Sequence, residues 1–189
     1  KFLANKYGIP IPERQKTAQE IAREQKAKQV IATNELAAKF YQACLTKTPY
    51  GKAALDYLHN RGITDDIIED FSMGFAINSF NGLMNALGKR GYNGEMLMQA
   101  GLAVPGKNGG AYDKFRGRVM IPIKDPRGRI VGFTGRILGD GMPKYMNTGE
   151  TEFFIKRYLL FGLDIAVNEI RKTRQAIVVE GHMDAISLH

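Results

Sequence analysis

The sequence predicts an α+β (mixed α/β) protein, because two hydrophobic periods follow one another along the chain. Up to Ala100, apolar residues recur at the three- and four-residue spacing of helices, between recognisable start and stop signals. From Leu102 the apolar runs are short and extended, and a turn with Pro and Gly joins two of them. A β-branched run, Ile177 to Val179, follows a last helical stretch. We therefore predict helices, then a small sheet, then the start of another α/β unit.

A long helix is predicted to follow the N-terminal segment. That segment, residues 1–12, contains prolines that exclude regular helix. Thr17 begins a capping box, and the helix is expected to run toward Leu45. Its first half is charged on nearly all sides, whereas an apolar stripe through Phe40 and Cys44 marks the second half. Only the second half is therefore expected to pack against the protein.

Four shorter helices are predicted next, each bounded by local signals. The first ends at Gly62, because glycine readily adopts the left-handed backbone that stops a helix. Thr64 caps the second, and glycines end the other two. We expect these helices through Ala54 to Leu58, after Thr64, from Leu83 to Lys89 and from Glu95 to Ala100.

The sheet region is predicted to contain a hairpin. Val119 to Ile123 and Arg129 to Phe133 have strand character, and Asp125 to Gly128 has the Pro and Gly positions of a turn. A helix near Leu163 to Arg171 is then expected to lead into a buried strand that ends at Glu180.

Composition favours a polyanionic partner. The 189 residues include 27 Lys plus Arg against 19 Asp plus Glu, which gives a formal net charge of +8. Such a positive field attracts nucleic acid, although a basic surface can equally serve solubility. The single cysteine, Cys44, excludes an internal disulfide and a multi-cysteine zinc site within these residues. Neither a signal peptide nor a membrane-spanning run is found, so we predict a cytoplasmic location and no membrane partner.

Two carboxylates stand beside the β-branched run. Glu180 ends the predicted strand, Gly181 allows a tight turn, and Asp184 falls in the first turn of the following helix. Paired carboxylates at the carboxyl end of a buried strand suit a hard divalent cation that polarises phosphate oxygens. An acidic residue in a first helical turn is also favoured by the helix dipole, whatever the function. This pattern alone leaves both interpretations open.

Basic residues accompany the predicted sheet. Lys114, Arg116 and Arg118 alternate along an extended segment, so their side chains are expected to project from one face and follow a phosphate backbone. Phe115 is then expected to point into the core. A half-buried strand with a solvated basic face is an equal alternative on pattern alone. Arg136 follows a strand and a glycine, a position from which its guanidinium can fork onto a phosphate.

Five motifs resemble, in order and spacing, the catalytic core of bacterial replicative DNA primases. They are residues 112–123, 132–136, 143–148, 150–156 and 160–163. In that family a strand followed by Glu, Gly, an aromatic residue, Met and Asp opens a topoisomerase-primase (TOPRIM) fold, and Glu180 and Asp184 stand at its acidic positions. The resemblance is weakest over residues 1–48.

This resemblance implies a division of the chain and a function. Residues 1–48 would form an N-terminal segment and long helix, residues 49–170 a basic subdomain of helices and a small sheet, and residues 171–189 the first strand and helix start of the TOPRIM subdomain. The implied activity is DNA-dependent synthesis of short RNA primers on single-stranded DNA from ribonucleoside triphosphates. The alternatives are a non-catalytic module that binds single-stranded nucleic acid, and a TOPRIM topoisomerase or nuclease.

The resemblance also implies residue roles. Glu180 and Asp184 are the expected ligands of Mg²⁺ or Mn²⁺, and Lys144 and Lys156 complete the expected catalytic set. The implied nucleotide-binding residues are Arg136, Lys144, Tyr145, Asn147 and Lys156. The implied nucleic-acid-binding residues are Arg61, Lys114, Arg116 and Arg118.

Departures from the family pattern limit what this chain is expected to do alone. Arg157 stands where the family has Gly, and His182 where it has Tyr, but neither change removes a charge that the chemistry needs. The Asp-x-Asp pair that completes a TOPRIM metal site does not occur in the sequence, so we expect the chain by itself to be inactive. A zinc-binding module, the replicative helicase and single-strand-binding protein are expected to involve other regions of a longer protein, which would act at the replication fork in the nucleoid.

Overall fold

The structure is a computed structural model that describes residues 6–7, 15–107 and 109–189. Most of the predicted N-terminal segment therefore lies outside the described residues. The helices are α1 (Ala18–Thr46), α2 (Lys52–Asn60), α3 (Asp65–Asp70), α4 (Gly82–Gly88), α5 (Gly94–Gln99), α6 (Leu163–Thr173) and α7 (His182–Ser187). The strands are β1 (Gly74–Ala76), β2 (Ala103–Pro105), β3 (Ala111–Asp113), β4 (Arg118–Lys124), β5 (Ile130–Ile137) and β6 (Tyr145–Asn147). Helices and small sheets together confirm the predicted α+β class.

Local signals placed the helices correctly. The Thr17 hydroxyl accepts a hydrogen bond from the Glu20 backbone N–H, and the Glu20 carboxylate accepts one from Thr17, which completes the predicted capping box at the start of α1. At the start of α3 the Thr64 hydroxyl accepts a hydrogen bond from the Ile67 backbone N–H. Gly62 has a φ of 77°, the left-handed stop predicted after α2.

The main sheet is antiparallel, in the order β1-β4-β5-β6. Its centre is the predicted β4–β5 hairpin, whose register runs from Arg118 opposite Ile137 to Lys124 opposite Ile130. The Asp125 carboxylate closes the turn by accepting hydrogen bonds from the backbone N–H groups of Arg127 and Arg129. β2 and β3 form a second, two-stranded sheet.

Both faces of the main sheet are buried. Met120 on β4 packs into one apolar cluster with the second half of α1, whereas its neighbours Val119 and Ile121 pack into another with α2 and α3. Tyr41 of α1 meets Phe133 of β5 edge to face, with ring centroids 5.6 Å apart. As predicted, the buried residues of α1 begin only at Val30.

One glycine shows how closely α1 crosses the sheet. A Cβ atom on Gly74 would lie 2.5 Å from the carbonyl carbon of Tyr41, so only glycine fits at the start of β1. Cys44 is buried on the same helix, as predicted, and burial raises the pKa of its thiol. In the part of the chain that the structure describes, no helix combines the length and apolar character needed to cross a membrane.

The predicted buried strand that ends at Glu180 does not form. Residues 174–179 have no regular secondary structure, and the side chains of Ile177 and Val178 are 83% and 79% exposed. A strand is stabilised by hydrogen bonds to a neighbouring strand, and among the described residues no strand lies beside this segment. The helices on either side of it, α6 and α7, do form.

Candidate nucleotide and nucleic-acid interface

Arg118 does not join an exposed basic face, which corrects the prediction from alternation. It begins β4, only 4% of the residue is exposed, and its guanidinium donates hydrogen bonds to the carbonyls of Gly135 (3.3 Å) and Pro143 (2.9 Å). The segment that links β5 to β6 folds over the side chain, so Arg118 holds protein backbone. Pro143 directly precedes Lys144, so Arg118 fixes the backbone next to a predicted site residue.

Arg116 belongs to a group of aromatic rings. Its guanidinium carbon lies 4.5 Å from the ring centroid of Phe80 and 5.3 Å from that of Tyr112, and its Nη1 donates to the Asp113 carbonyl. Phe80 is 62% exposed. The result is a cation with a solvent-facing ring beside it, an arrangement that suits a phosphate and an unstacked base. Phe80 was not among the predicted site residues, and its one sequence signal is an aromatic side chain in a polar loop.

Lys114 and Lys156 come from different elements but share one region. Lys114 precedes β4 and is half-buried, and Lys156 begins a 3₁₀ turn, Lys156–Tyr158. Burial lowers the pKa of the Lys114 amine, and the positive charge of Lys156 lowers it further. Neither side chain forms an ion pair with any described carboxylate. Phe115 points into the core, as predicted.

Arg136 lies between two tyrosines. Its guanidinium carbon is 5.4 Å from the ring centroid of Tyr57 on α2 and 5.1 Å from that of Tyr145 on β6, and its Nη1 donates to the Tyr145 hydroxyl. Arg61, just after α2, lies 5.8 Å from the same Tyr57 ring. These two arginines were predicted to bind different ligands, whereas the fold brings both to Tyr57.

Strand β6 presents the remaining predicted nucleotide-binding residues. It pairs with β5 so that Tyr145 is opposite Arg136 and Asn147 is opposite Thr134. Lys144 is exposed just before β6, and its carbonyl accepts a hydrogen bond from the Ile137 N–H at 3.0 Å. The Asn147 side-chain oxygen is buried and has no hydrogen-bond partner in the described structure. A buried acceptor without a partner can be satisfied by a hydroxyl or amino group of a ligand that reaches it.

The acidic pair lies at the start of α7. Glu180 and Asp184 are both exposed, and the Asp184 Oδ2 accepts a hydrogen bond from the Gly181 N–H at 3.1 Å. This contact, together with the position of Asp184 in the first turn of α7, fits the alternative in which the carboxylate stabilises the start of the helix. The described residues contain no cluster of three or more His, Cys, Asp or Glu side chains that could hold a metal ion. The two carboxylates are chemically suitable for Mg²⁺ or Mn²⁺ but supply only part of an octahedral shell.

His182 packs against apolar residues. Its ring meets Phe161 edge to face with centroids 4.8 Å apart, and burial lowers the pKa of the imidazole. The side chain therefore helps to hold α7 against the segment that precedes α6.

Asp113 is a buried carboxylate that was not among the predicted site residues. It is 2% exposed, and its two oxygens accept hydrogen bonds from the backbone N–H groups of Leu83 (2.7 Å) and Met84 (3.0 Å) at the start of α4. Burial raises the pKa of this carboxyl to about 6, and the two backbone hydrogen bonds offset part of that increase. Asp113 thus connects α4 to the strand that leads into the basic segment.

The raised pKa of Asp113 predicts a specific dependence of stability on pH. Between its ordinary pKa of 3.8 and about 6, the folded protein binds this proton more tightly than the unfolded chain does, so stability falls as pH rises through that window. The loss amounts to about 3 kcal/mol at most. Asp113→Asn removes this dependence. Urea unfolding of both proteins from pH 4 to pH 7 measures it, and parallel stability curves would contradict the assignment.

The fold and site together define a class of protein. Arginines and lysines without carboxylate partners among the described residues surround exposed aromatic rings at one end of an antiparallel sheet, as expected of a protein that binds nucleic acid and nucleoside phosphates. The chain belongs to the DNA primase family. Its residues 40–167 match the model of the DNA primase catalytic core, N-terminal domain.

Curated relatives agree with this assignment. A DNA primase of Pseudomonas putida is 40% identical over 187 residues, which cover 98% of this chain and 28% of the relative. A DNA primase of Deinococcus radiodurans is 47% identical over 137 residues, which cover 72% of this chain and 24% of the relative. The chain thus spans about a quarter of the length of the curated relatives it matches.

Solved primase structures have the same fold. The RNA polymerase domain of Mycobacterium tuberculosis primase DnaG, in complex with a double-stranded DNA oligomer with a 6-nucleotide overhang, aligns with a TM-score of 0.80 at 36% identity, over 86% of this chain and 51% of that one. A DnaG primase catalytic domain bound to single-stranded DNA aligns with a TM-score of 0.78 at 38% identity, over 87% and 53% of the two chains.

Proposed function

We propose that this chain is the N-terminal part of the catalytic core of an enzyme that synthesises RNA primers on single-stranded DNA. The supporting observation is the cluster of unpaired cations and aromatic rings at the sheet end, found in a chain of the primase family. In the parent reaction a 3′-hydroxyl attacks the α-phosphate of a ribonucleoside triphosphate, and pyrophosphate leaves. A topoisomerase or nuclease would not need these nucleotide-binding residues upstream of the acidic pair.

The incoming nucleotide is proposed to bind along β6. Lys144 and Lys156 neutralise triphosphate charge, and the Arg136 guanidinium can form a two-point contact with a phosphate. Tyr145 supplies a ring for stacking, and the free Asn147 oxygen accepts a hydrogen bond from the sugar or base. Fixed cations stabilise charge that develops on a transferring phosphoryl group, because they need no reorganisation during the reaction.

The template is proposed to follow the basic segment before β4. Lys114 and Arg116 contact its phosphates, and Phe80 stacks on an unpaired base beside Arg116. Arg118 does not contact the template in this proposal, because its buried guanidinium already donates hydrogen bonds to two carbonyls. Its role is to stabilise the backbone of this region. Arg61 contacts the same Tyr57 ring as Arg136 and is therefore close enough to act with the nucleotide residues.

The metal site is proposed to include Glu180, with Asp184 as a second ligand or as a support for the water shell. A bound Mg²⁺ or Mn²⁺ would lower the cost of forming the attacking alkoxide and of releasing pyrophosphate. The exposed Glu180 carboxylate is free to coordinate, whereas Asp184 already accepts the Gly181 N–H.

The cellular setting is proposed from the family. Such an enzyme would act at the replication fork in the bacterial cytoplasm, with a replicative helicase and single-strand-binding protein as partners of other regions. Zinc would belong to a separate module of the longer protein.

The test is binding of single-stranded DNA as a function of salt. Three phosphate contacts, by Lys114, Arg116 and one further cation, would weaken binding about twentyfold between roughly 50 and 200 mM salt. Fluorescence anisotropy of a labelled oligonucleotide measures this. Arg127→Ala is the matched control, since it removes one charge at the β4–β5 turn, the end of the hairpin opposite Arg118. Equal affinity at both salt concentrations would refute the template assignment.

A further inference from the structure

Tyr57 joins two arginines that lie far apart in sequence. Arg61 follows on from the same helix, and Arg136 comes from β5, yet both guanidinium carbons lie within 5.8 Å of the Tyr57 ring centroid. The electron-rich face of a tyrosine ring attracts a guanidinium, and two such contacts on one ring hold both side chains in the same place. Tyr57 itself is half-buried on α2.

This cluster has positive charge without a compensating carboxylate. Neither Arg61 nor Arg136 forms an ion pair with any residue that the structure describes. The Arg136 Nε is buried and has no hydrogen-bond partner, although its Nη1 donates to Tyr145. Like charges held near each other repel, and an anion that contacts both relieves that repulsion. The arrangement therefore suits a ligand with several negative groups.

We infer that Tyr57 is a positioning residue that holds Arg61 and Arg136 together as one receptor for the polyphosphate of the incoming nucleotide. This inference depends on the proposed function, and it moves Arg61 from the template to the nucleotide. Arg136 contacts the Tyr145 ring as well as the Tyr57 ring. Through Arg136, Tyr57 therefore also connects α2 to β6, the strand that carries proposed nucleotide-binding residues. The Tyr57 hydroxyl is buried and has no hydrogen-bond partner in the described structure, which indicates that the ring does the positioning.

The test compares two substitutions of Tyr57 in a full-length primase that contains this chain. Tyr57→Leu removes the ring and is expected to raise the KM for ribonucleoside triphosphate about five- to tenfold, with little change in kcat or in affinity for single-stranded DNA. Tyr57→Phe keeps the ring and should behave like the unmodified protein. Inorganic tripolyphosphate, used as a competitive inhibitor, should lose affinity in the same proportion in Tyr57→Leu. Thermal unfolding of both variants checks that the fold is retained.

Arg136→Ala separates this inference from the proposed function. If Arg136→Ala leaves the KM for the nucleotide unchanged, the proposed nucleotide site is wrong. If Arg136→Ala raises the KM but Tyr57→Leu does not, the site stands and the positioning role of Tyr57 is refuted. Equal loss in Tyr57→Leu and Tyr57→Phe would refute it too, because the hydroxyl would then matter. Arg127→Ala controls for the loss of one positive charge.

Discussion

Replacing Glu180 by Gln in a full-length primase is expected to lower primer synthesis at least about a hundredfold, because metal and fixed charge at the reacting phosphate contribute on the order of 3 kcal/mol. Affinity for single-stranded DNA should stay unchanged, since the exposed Glu180 carboxylate precedes α7 and is not among the proposed template contacts. Primer yield and anisotropy on the same preparation measure the two effects. Equal loss of both would place Glu180 in template binding.

Lys144→Ala and Lys156→Ala are companions to that experiment and should also lose synthesis far more than DNA binding. Lys156→Ala is the more stringent test of separate sites, because the charge of Lys156 lowers the pKa of Lys114, a proposed template contact. A Lys156 variant that loses binding and synthesis in the same proportion would show that the two lysines hold one phosphate of the template. The same outcome for Lys144 would move that residue into the template path.

Helix boundaries could be predicted because their causes are local. A capping hydroxyl at Thr17 or Thr64 accepts a hydrogen bond from the backbone N–H three residues on, and Gly62 stops α2 through its own backbone freedom. The β4–β5 hairpin is local in the same sense, since Asp125 binds the turn that it begins. Each of these signals operates within a few residues.

The roles of the basic residues could not be predicted from their alternation, because the exposure of each side chain depends on segments that are distant in the sequence. Arg118 has the same sequence pattern as Arg116, but the segment before β6 covers it and supplies the Pro143 carbonyl. Lys114 and Arg116 precede β4, so the regular strand spacing assumed for all three residues does not apply. Burial of a guanidinium under a loop leaves no mark in the local sequence.

The apolar run at Ile177 and Val178 shows that strands, too, could not be predicted from local sequence alone. Its composition favours a buried strand, but a strand requires hydrogen bonds to a neighbouring strand, and no described strand pairs with this segment. Tyr57 was also missed as part of the site, because its contact with Arg136 joins α2 to β5, two elements that are far apart in the sequence. Family resemblance identified the site residues one by one, whereas their grouping required the tertiary structure.

Arg118→Ala is expected to lower the free energy of unfolding by about 2 kcal/mol, because two hydrogen bonds from a charged donor are lost and a buried space is left. The loss of stability is not larger because burying the charged guanidinium costs free energy in the unmodified protein, and the substitution removes that cost. Arg118→Met should lose less, since it keeps the packed stem. Urea unfolding measures both variants.

Arg116→Ala is the matched comparison, two positions away on the other side of Gly117. Its guanidinium contacts rings and one carbonyl near the surface, so we expect a stability change within about 0.5 kcal/mol but a roughly fivefold loss of affinity for single-stranded DNA. Arg118→Ala should show the opposite pattern: reduced stability, and primer synthesis at least about tenfold lower because the backbone before Lys144 loses its anchor. If Arg118→Ala instead keeps its stability and loses DNA affinity as Arg116→Ala does, then Arg118 turns outward to the template, and the buried contact with Pro143 is not the state that binds DNA.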